Sequence, residues 1–376
     1  MSTNPAPVIP TSANPVPQDP PGVDSAEPTR VPWPAVAVYT VLACGLAWLV
    51  TIPLWLGDGL ADPKFTWLVL LMMYTPTVAA LIVTFFIVKP KYKARYLGLT
   101  PFKPVVRSIV LILVWPIVFG LLAVSAAFVA SLFGWVDFGF NASALEEDAA
   151  LAGMSAEALA LLSIAMTPLI VVQATFAAFG EELGWRGFLV PALKPLGFWP
   201  MAIISGVIWG VWHAPIILLG YNFGRTDIFG VLLMIVFCFF VGVILNWSRL
   251  WCRNVWVAAV GHGALNATAP IGFLFVMNFD PAGGLTQTVV GAPGWIIMAA
   301  IIVVMAGLGL FGKRLPKPLV TVPAKHLSGG HPAPRGAGVS NPTAEPAVGT
   351  PEWAQGYVPH TRNAPDAPST DRGGER

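Results

Sequence analysis

Two adjacent carboxylates lie within an otherwise apolar part of the chain, in the stretch GEELGWRGFL that begins at Gly180. Ionisable side chains are rare inside a bilayer and usually functional, because each costs roughly 2.5 to 3.5 kcal/mol at a helix centre. Residues four apart share a helix face, so we predict that Glu182 pairs with Arg186. Glu181 is rotated from Glu182 by about 100°. We therefore expect Glu181 to face the interior of a helix bundle as the candidate general base.

Two of the five histidines also fall within apolar stretches, His213 in WGVWHAP and His262 in VAAVGHGALNAT. Asn266 follows His262 by four residues, which places both side chains on one helix face. A carboxylate close to imidazoles, walled by apolar helices, can serve as a general base toward water. A carbonyl under attack develops negative charge, and His262 with Asn266 can supply the hydrogen-bond donors that it needs. These residue types indicate hydrolysis of an amide or ester bond.

The elements that must position these side chains are membrane-spanning helices. The chain is 56% hydrophobic and 11% charged, whereas a soluble domain carries about a quarter charged residues. A bilayer core needs about 20 apolar residues per helical crossing, and only helices or closed barrels satisfy the backbone there. The apolar windows are 35–56, 65–88, 105–133, 158–189, 201–220, 228–245, 255–277 and 295–311. The sequence predicts an all-α polytopic bundle of about eight transmembrane helices.

Composition changes at both ends of this apolar region. Residues 1–32 are rich in Pro, Ser, Ala and Asp, and residues 315–376 are rich in Pro, Gly and Ala. Such segments bury too little apolar surface to fold, so we predict disordered arms flanking a transmembrane domain at 33–314. The three cysteines form no pairing framework, and no disulfide is expected. A small, scattered net charge of +2 gives no indication of nucleic-acid binding.

Basic residues predict the orientation of the bundle, because Lys and Arg are enriched in cytoplasmic connections. They crowd the connection between the second and third windows, and alternation of eight crossings puts the remaining clusters on the same side. The residues are Lys89, Lys91, Lys93, Arg95, Lys103, Arg107, Arg186, Lys194, Arg249, Arg253, Lys313, Arg314 and Lys317. We expect an integral protein of the cell membrane with both termini in the cytoplasm and with the polar site opening toward the cell interior.

The stretches EELGWR, WGVWH and HGALN, in this order, resemble the EExxxR, FxxxH and HxxxN motifs of a known family of membrane proteins. It is the CAAX protease and bacteriocin-processing family, which includes the type II CAAX prenyl endopeptidases. The resemblance covers residues 171–268, the motif core of the predicted domain. One position departs from the pattern, since Trp209 stands where the family usually has Phe.

This resemblance implies an intramembrane endopeptidase that hydrolyses a peptide bond of a membrane-tethered protein or peptide. A lipidated substrate is the family's eukaryotic association. The catalytic residues implied are Glu181 and His213, which activate water, and His262 and Asn266, which hold the oxyanion; the site-shaping residues are Glu182, Arg186 and Trp209.

A zinc site is an open alternative, because family names often include the word metalloprotease. Glu182, His213 and His262 would provide three ligands, with water as the fourth. The chain lacks the HExxH motif, in which two histidines on one helix face present a ready pair of ligands.

Two other functions use the same polar side chains. A non-catalytic membrane immunity or scaffold protein would bind a partner in the same cavity without turnover. A proton-coupled transporter would use Glu and His as a proton relay, although the sequence shows no internal repeat of the kind that marks many transporters.

Overall fold

The computed structural model describes residues 28–280, 283–312 and Leu315, and the arms predicted at the two ends lie almost wholly outside this part. The described residues are helical or irregular, with one isolated bridge between Phe138 and Val276. The main helices are α1 (Trp33–Leu56), α2 (Phe65–Val88), α3 (Val105–Leu132), α4 (Glu146–Leu151), α5 (Ala156–Ala165), α6 (Thr167–Glu182), α7 (Phe198–Trp212), α8 (Ile228–Cys252), α9 (Trp256–Thr268) and α10 (Ala292–Gly307).

Local sequence explains where several of these helices begin. Pro34, Pro168 and Pro293 stand in the first turns of α1, α6 and α10. Proline suits this position because its φ is already helical and the first N–H groups of a helix have no internal partner. The start of α8 is capped by Asp227, whose carboxylate accepts a hydrogen bond from the Gly230 N–H at 3.2 Å.

Six helical segments are long and apolar enough to cross a membrane, and α4 with α5 makes a seventh if that pair, bent by 90°, counts as one span. The six are Trp33–Leu56, Phe65–Val88, Val105–Leu132, Ile228–Cys252, Trp256–Phe275 and Gly284–Gly307. The protein is therefore an all-α polytopic membrane bundle, as predicted, but the predicted number of eight crossings is not confirmed. The helices α6 and α7 stand outside the count, with 16 and 15 residues respectively.

Small residues let the site-bearing helices approach closely. The helix α9 packs between α6 and α3, and α7 packs against α8. A Cβ placed on Gly263 of α9 would lie 2.6 Å from the backbone nitrogen of Thr175 in α6. A Cβ on Gly210 of α7 would lie 2.4 Å from the Cα of Ile235 in α8. Glycine at these contacts is what allows the backbones to come together in an apolar bilayer.

The helix α6 continues into a buried π-helical segment, Leu183–Leu189. Such wider turns are rare and often mark functional sites. Here the segment is tied to α8, because the Nε of Arg249 in that helix donates a hydrogen bond of 2.9 Å to the carbonyl of Arg186. The segment thus fixes the direction in which the side chains just before it point.

Two residues that we counted as cytoplasmic loop charges lie elsewhere. Arg186 is 2% exposed and Arg249 is fully buried, and both belong to helical segments. A charged side chain near a predicted span end can turn inward when a partner is available, and Arg186 has the Glu182 carboxylate. The orientation therefore rests on the remaining basic residues, of which Lys313, Arg314 and Lys317 lie outside the described part.

Candidate active site

One cavity of about 420 Å³ collects polar side chains from three motif-bearing segments. Its polar lining includes Glu181 from α6, Trp209 from α7 and His213, which follows the last residue of α7. The helix α9 contributes His262 and Asn266. All four residues predicted as catalytic border this space. The other walls are mostly apolar, with Met72, Met234 and Phe237 among them.

The Glu181 carboxylate is buried, 3% exposed, and oriented by two indoles. Its Oε2 atom accepts a 2.8 Å hydrogen bond from the Nε1–H of Trp209 and a 3.3 Å bond from the Nε1–H of Trp185. Hydrogen bonds from N–H donors stabilise the ionised form of a carboxylate. Because both indoles reach Oε2, the Oε1 atom is left for a water molecule in the cavity.

Glu182 faces away from the cavity and joins two of the motifs. Its Oε1 atom accepts a hydrogen bond of 2.6 Å from Nη1 of Arg186 and one of 2.9 Å from Nδ1 of His262. The carboxylate is fully buried, and a buried charge needs such partners to offset the loss of water. The pair that helical spacing predicted thus also orients the His262 imidazole.

Arg186 is the centre of a buried polar network behind the cavity. Its Nε donates to the Oδ1 of Asn246 at 3.1 Å, and the amide of Asn246 donates to the Oγ of Ser205 at 3.2 Å. Its guanidinium lies 4.4 Å from the ring centroid of Trp209, a cation–π contact. The network therefore links α8 and α7 to the segment after α6.

His213 ends α7 and presents one ring nitrogen to the cavity. Its Nδ1 lies 2.9 Å from the backbone carbonyl of Trp209. A carbonyl oxygen only accepts hydrogen bonds, so Nδ1 carries the proton and Nε2 carries a lone pair. This tautomer can accept a hydrogen bond from a water molecule beside Glu181.

His262 and Asn266 stand one helical turn apart on the same face of α9. Since Nδ1 of His262 is engaged by Glu182, only its Nε2 can reach a ligand in the cavity. The side chain of Asn266 is exposed and lines the same cavity. An amide nitrogen and an imidazole nitrogen at this spacing are able to donate to one developing oxyanion.

The three residues considered as zinc ligands are not arranged around one common point, although Glu182 contacts His262 and His213 shares a cavity with His262. Among the described residues no group of three or more His, Cys, Asp or Glu side chains is arranged to hold a metal ion. Glu182 does not line the cavity that His213 and His262 share, although its Oε2 atom is buried without a hydrogen-bond partner. These three side chains therefore do not fit a three-ligand site.

The loop residues that line the cavity lie at one end of the bundle. Asn222 precedes α8, and Phe279 and Thr288 belong to the connection that follows α9. Arg253, in contrast, directly follows α8, whose 25 residues span about 37 Å at 1.5 Å per residue. The basic residues used for orientation therefore mark the opposite end, which differs from the expectation that the site opens on their side.

Two further residues of the site were not selected from the sequence. Trp185 donates to Glu181, and Asn246 binds Arg186. Asn246 stands one residue beyond the apolar window 228–245, so that window does not include it. A polar amide near a span end, on the face that carries small residues, is the signal that could have identified it.

The fold and the cavity define an integral membrane protein of the helical class with a buried carboxylate–histidine site. Comparison with family models gives a match over residues 163–268 to "Type II CAAX prenyl endopeptidase Rce1-like". This segment contains all three motifs and confirms the resemblance to membrane proteases of this family. Because this is a protease family, the match supports the assignment of the protein as a peptide hydrolase with a protein substrate in the membrane. A comparison with curated proteins finds no match.

Proposed function

We propose that this protein is an intramembrane endopeptidase in which Glu181 activates water against a peptide bond. The observation that carries the proposal is the single cavity that Glu181, His213, His262 and Asn266 share. A carboxylate with one free oxygen, a neutral imidazole and two further potential donors form the set that amide hydrolysis requires.

The proposed reaction proceeds in two steps. Oε1 of Glu181 takes a proton from a water that also donates to Nε2 of His213, and the water oxygen bonds to the carbonyl carbon. The oxyanion so formed accepts hydrogen bonds from the amide of Asn266 and from Nε2 of His262. That nitrogen must carry a proton, so this role requires a doubly protonated ring facing the Glu182 carboxylate. The carbon–nitrogen bond then breaks, and Glu181 returns its proton to the leaving amine.

The proposed substrate is a membrane-associated protein or peptide. The apolar wall formed by Met72, Met234 and Phe237 offers room for an apolar side chain or an attached lipid beside the scissile bond. We also propose that both termini are cytoplasmic, because the remaining basic residues mark one end of the bundle.

The test replaces Glu181 by Gln, which keeps the shape of the side chain and removes the base. Mass spectrometry of membrane peptides from cells with the wild-type protein and with Glu181→Gln should show the substrate cleaved only in the former. We expect cleavage to fall by a factor of roughly 10² to 10⁴, the usual contribution of a general base.

The matched control is Glu157→Gln, the same change at an exposed carboxylate of α5, which should leave cleavage unchanged. A non-catalytic scaffold would keep its phenotype in Glu181→Gln cells, and full cleavage by this variant would refute the proposed role. Metal analysis of the purified protein belongs to the same experiment.

A further inference from the structure

A second cavity, of about 610 Å³, lies at the end of the bundle that carries the basic residues. It is lined by Arg95, Thr100, Pro101, Lys103, Pro104, Val105, Arg107 and Arg253. Four of these eight residues are cationic and none is acidic. They come from the connection after α2, from the start of α3 and from the turn between α8 and α9, so residues distant in sequence surround one space.

The walls of this basic cavity are tied to one another. The N–H of Val255 donates to the carbonyl of Gly98 at 3.0 Å, and the indole of Trp256 donates to the carbonyl of Leu99 at 3.1 Å. On the other side, the amide of Asn254 donates to the Oγ of Ser108 at 2.8 Å. The connection after α2 is thereby fixed to the turn that carries Arg253.

One of these cations, Arg107, is also held in place. The guanidinium of Arg107 lies 5.1 Å from the ring centroid of Trp251. The start of α3 has no side-chain cap, and a helix N-terminus adds partial positive charge to the same wall. Cations that line one cavity repel one another, and an anion bound among them offsets this repulsion through its attraction to each.

We propose that the basic cavity binds the phosphate group of an anionic phospholipid. The cavity opens beside the lipid-facing surface of α3, where Val106 is 75% exposed and Leu113 is 65% exposed. With Ile109 between them, these residues form an apolar stripe that begins at the cavity. A headgroup in the cavity would therefore place its acyl chains along α3. No part of this proposal depends on the chemistry at Glu181.

The experiment uses the detergent-purified full-length protein. Native mass spectrometry follows its titration with phosphatidylglycerol and with phosphatidylcholine, and inorganic phosphate is added as a competitor. The first variant is the pair Lys103→Gln and Arg107→Gln. Its control is the pair Lys91→Gln and Lys93→Gln, which removes the same charge from the connection after α2 but lies outside the cavity lining.

We expect the wild-type protein to prefer phosphatidylglycerol. The Lys103 and Arg107 pair should weaken its binding roughly 30-fold, at about a factor of five per basic residue near a membrane surface. The single change Arg253→Gln, on a different segment, should weaken binding about fivefold. Thermal melting of each variant checks that it is folded.

Two results would overturn the proposal. The first is that both double substitutions weaken phosphatidylglycerol binding equally, which would mean that the basic residues attract the lipid without a defined site. The second is equal binding of phosphatidylglycerol and phosphatidylcholine. Displacement of phosphatidylglycerol by millimolar inorganic phosphate supports the phosphate site and assigns it to the soluble ion.

Discussion

The side chain of Trp209 contacts Glu181, Arg186 and His262 at once. Its indole N–H donates to Glu181 at 2.8 Å, its ring face meets the Arg186 guanidinium, and its ring lies at 72° to that of His262 with centroids 5.3 Å apart. Phenylalanine, which the related proteases usually have here, can make the two ring contacts but not the hydrogen bond. In this chain the aromatic position therefore also orients the proposed base.

The substitution Trp209→Phe tests this role. It removes one donor from the Glu181 carboxylate and keeps an aromatic ring against Arg186. A hydrogen bond to a charged group contributes about 1.5 to 3 kcal/mol, so kcat should fall roughly 10-fold to 100-fold. Because the apolar wall of Met72, Met234 and Phe237 is unchanged, KM should stay close to its wild-type value, which steady-state kinetics on the cleaved peptide would measure.

Trp212→Phe is the matched control at this scale. It removes the indole bond of 3.0 Å to the Oγ1 of Thr75, which does not involve Glu181. If both substitutions reduce kcat equally, the effect comes from general packing of α7 and not from the carboxylate.

At the scale of the helices, the site depends on how closely α9 approaches α6. Gly263 lies against Thr175 and directly follows His262 in the chain. We expect Gly263→Ala to destabilise the fold by about 1 to 3 kcal/mol through overpacking. It should also reduce cleavage, because the outward shift of α9 lengthens the contact between His262 and Glu182.

Thermal melting and cleavage assays on the same preparation measure the two effects. The matched control is Gly45→Ala in α1, where a new Cβ has no atom within 4 Å. That change should leave cleavage unchanged and keep or raise the melting temperature, since alanine has the higher helix propensity. A Gly263→Ala protein as stable and active as wild type would show that the approach of the helices is not limiting.

The sequence was sufficient for pairs within one helix and insufficient for contacts between helices. The spacing of Glu182 and Arg186, and of His262 and Asn266, follows from helix geometry alone. The bonds from Trp209 to Glu181 and from His262 to Glu182 depend on the relative depths of α6, α7 and α9. Those depths depend on the π-helical segment that follows α6, which apolar periodicity does not reveal.

The inward-facing arginines show the same limit. Arg186 and Arg249 stand where an apolar window ends, and by pattern they are equivalent to the exposed Lys91. Arg249 is buried against the carbonyl of Arg186, and Arg186 needs Asn246 of α8 in addition to its neighbour Glu182, so both depend on contacts between helices.

At the scale of the whole molecule, the candidate site and the basic cavity occupy opposite ends of α8. If the basic end is cytoplasmic, the loop residues that line the site face the outside of the cell. We predict that a membrane-impermeant maleimide labels Phe279→Cys in intact cells, because Phe279 is 42% exposed and lines the site.

The paired variant Lys91→Cys, at the basic end, should be labelled only after the cells are permeabilised. The unsubstituted protein gives the background, since Cys238 and Cys252 are buried and Cys44 is partly so. The reversed labelling pattern would place both termini outside the cell and the site toward the cytoplasm.

The two segments that carry the first two motifs are also the two that do not qualify as independent spans. The helix α6 ends in Glu181 and Glu182, and α7 is short. Because helices enter the bilayer according to their own apolarity and length, α6, which is short and ends in charged residues, and α7, which is short, would each insert poorly alone. Their partners Asn246 and His262 emerge from the ribosome later. Biogenesis of this protein must therefore hold α6 and α7 in a sheltered state until synthesis has passed α9, so truncation before α9 should expose them to quality-control proteolysis.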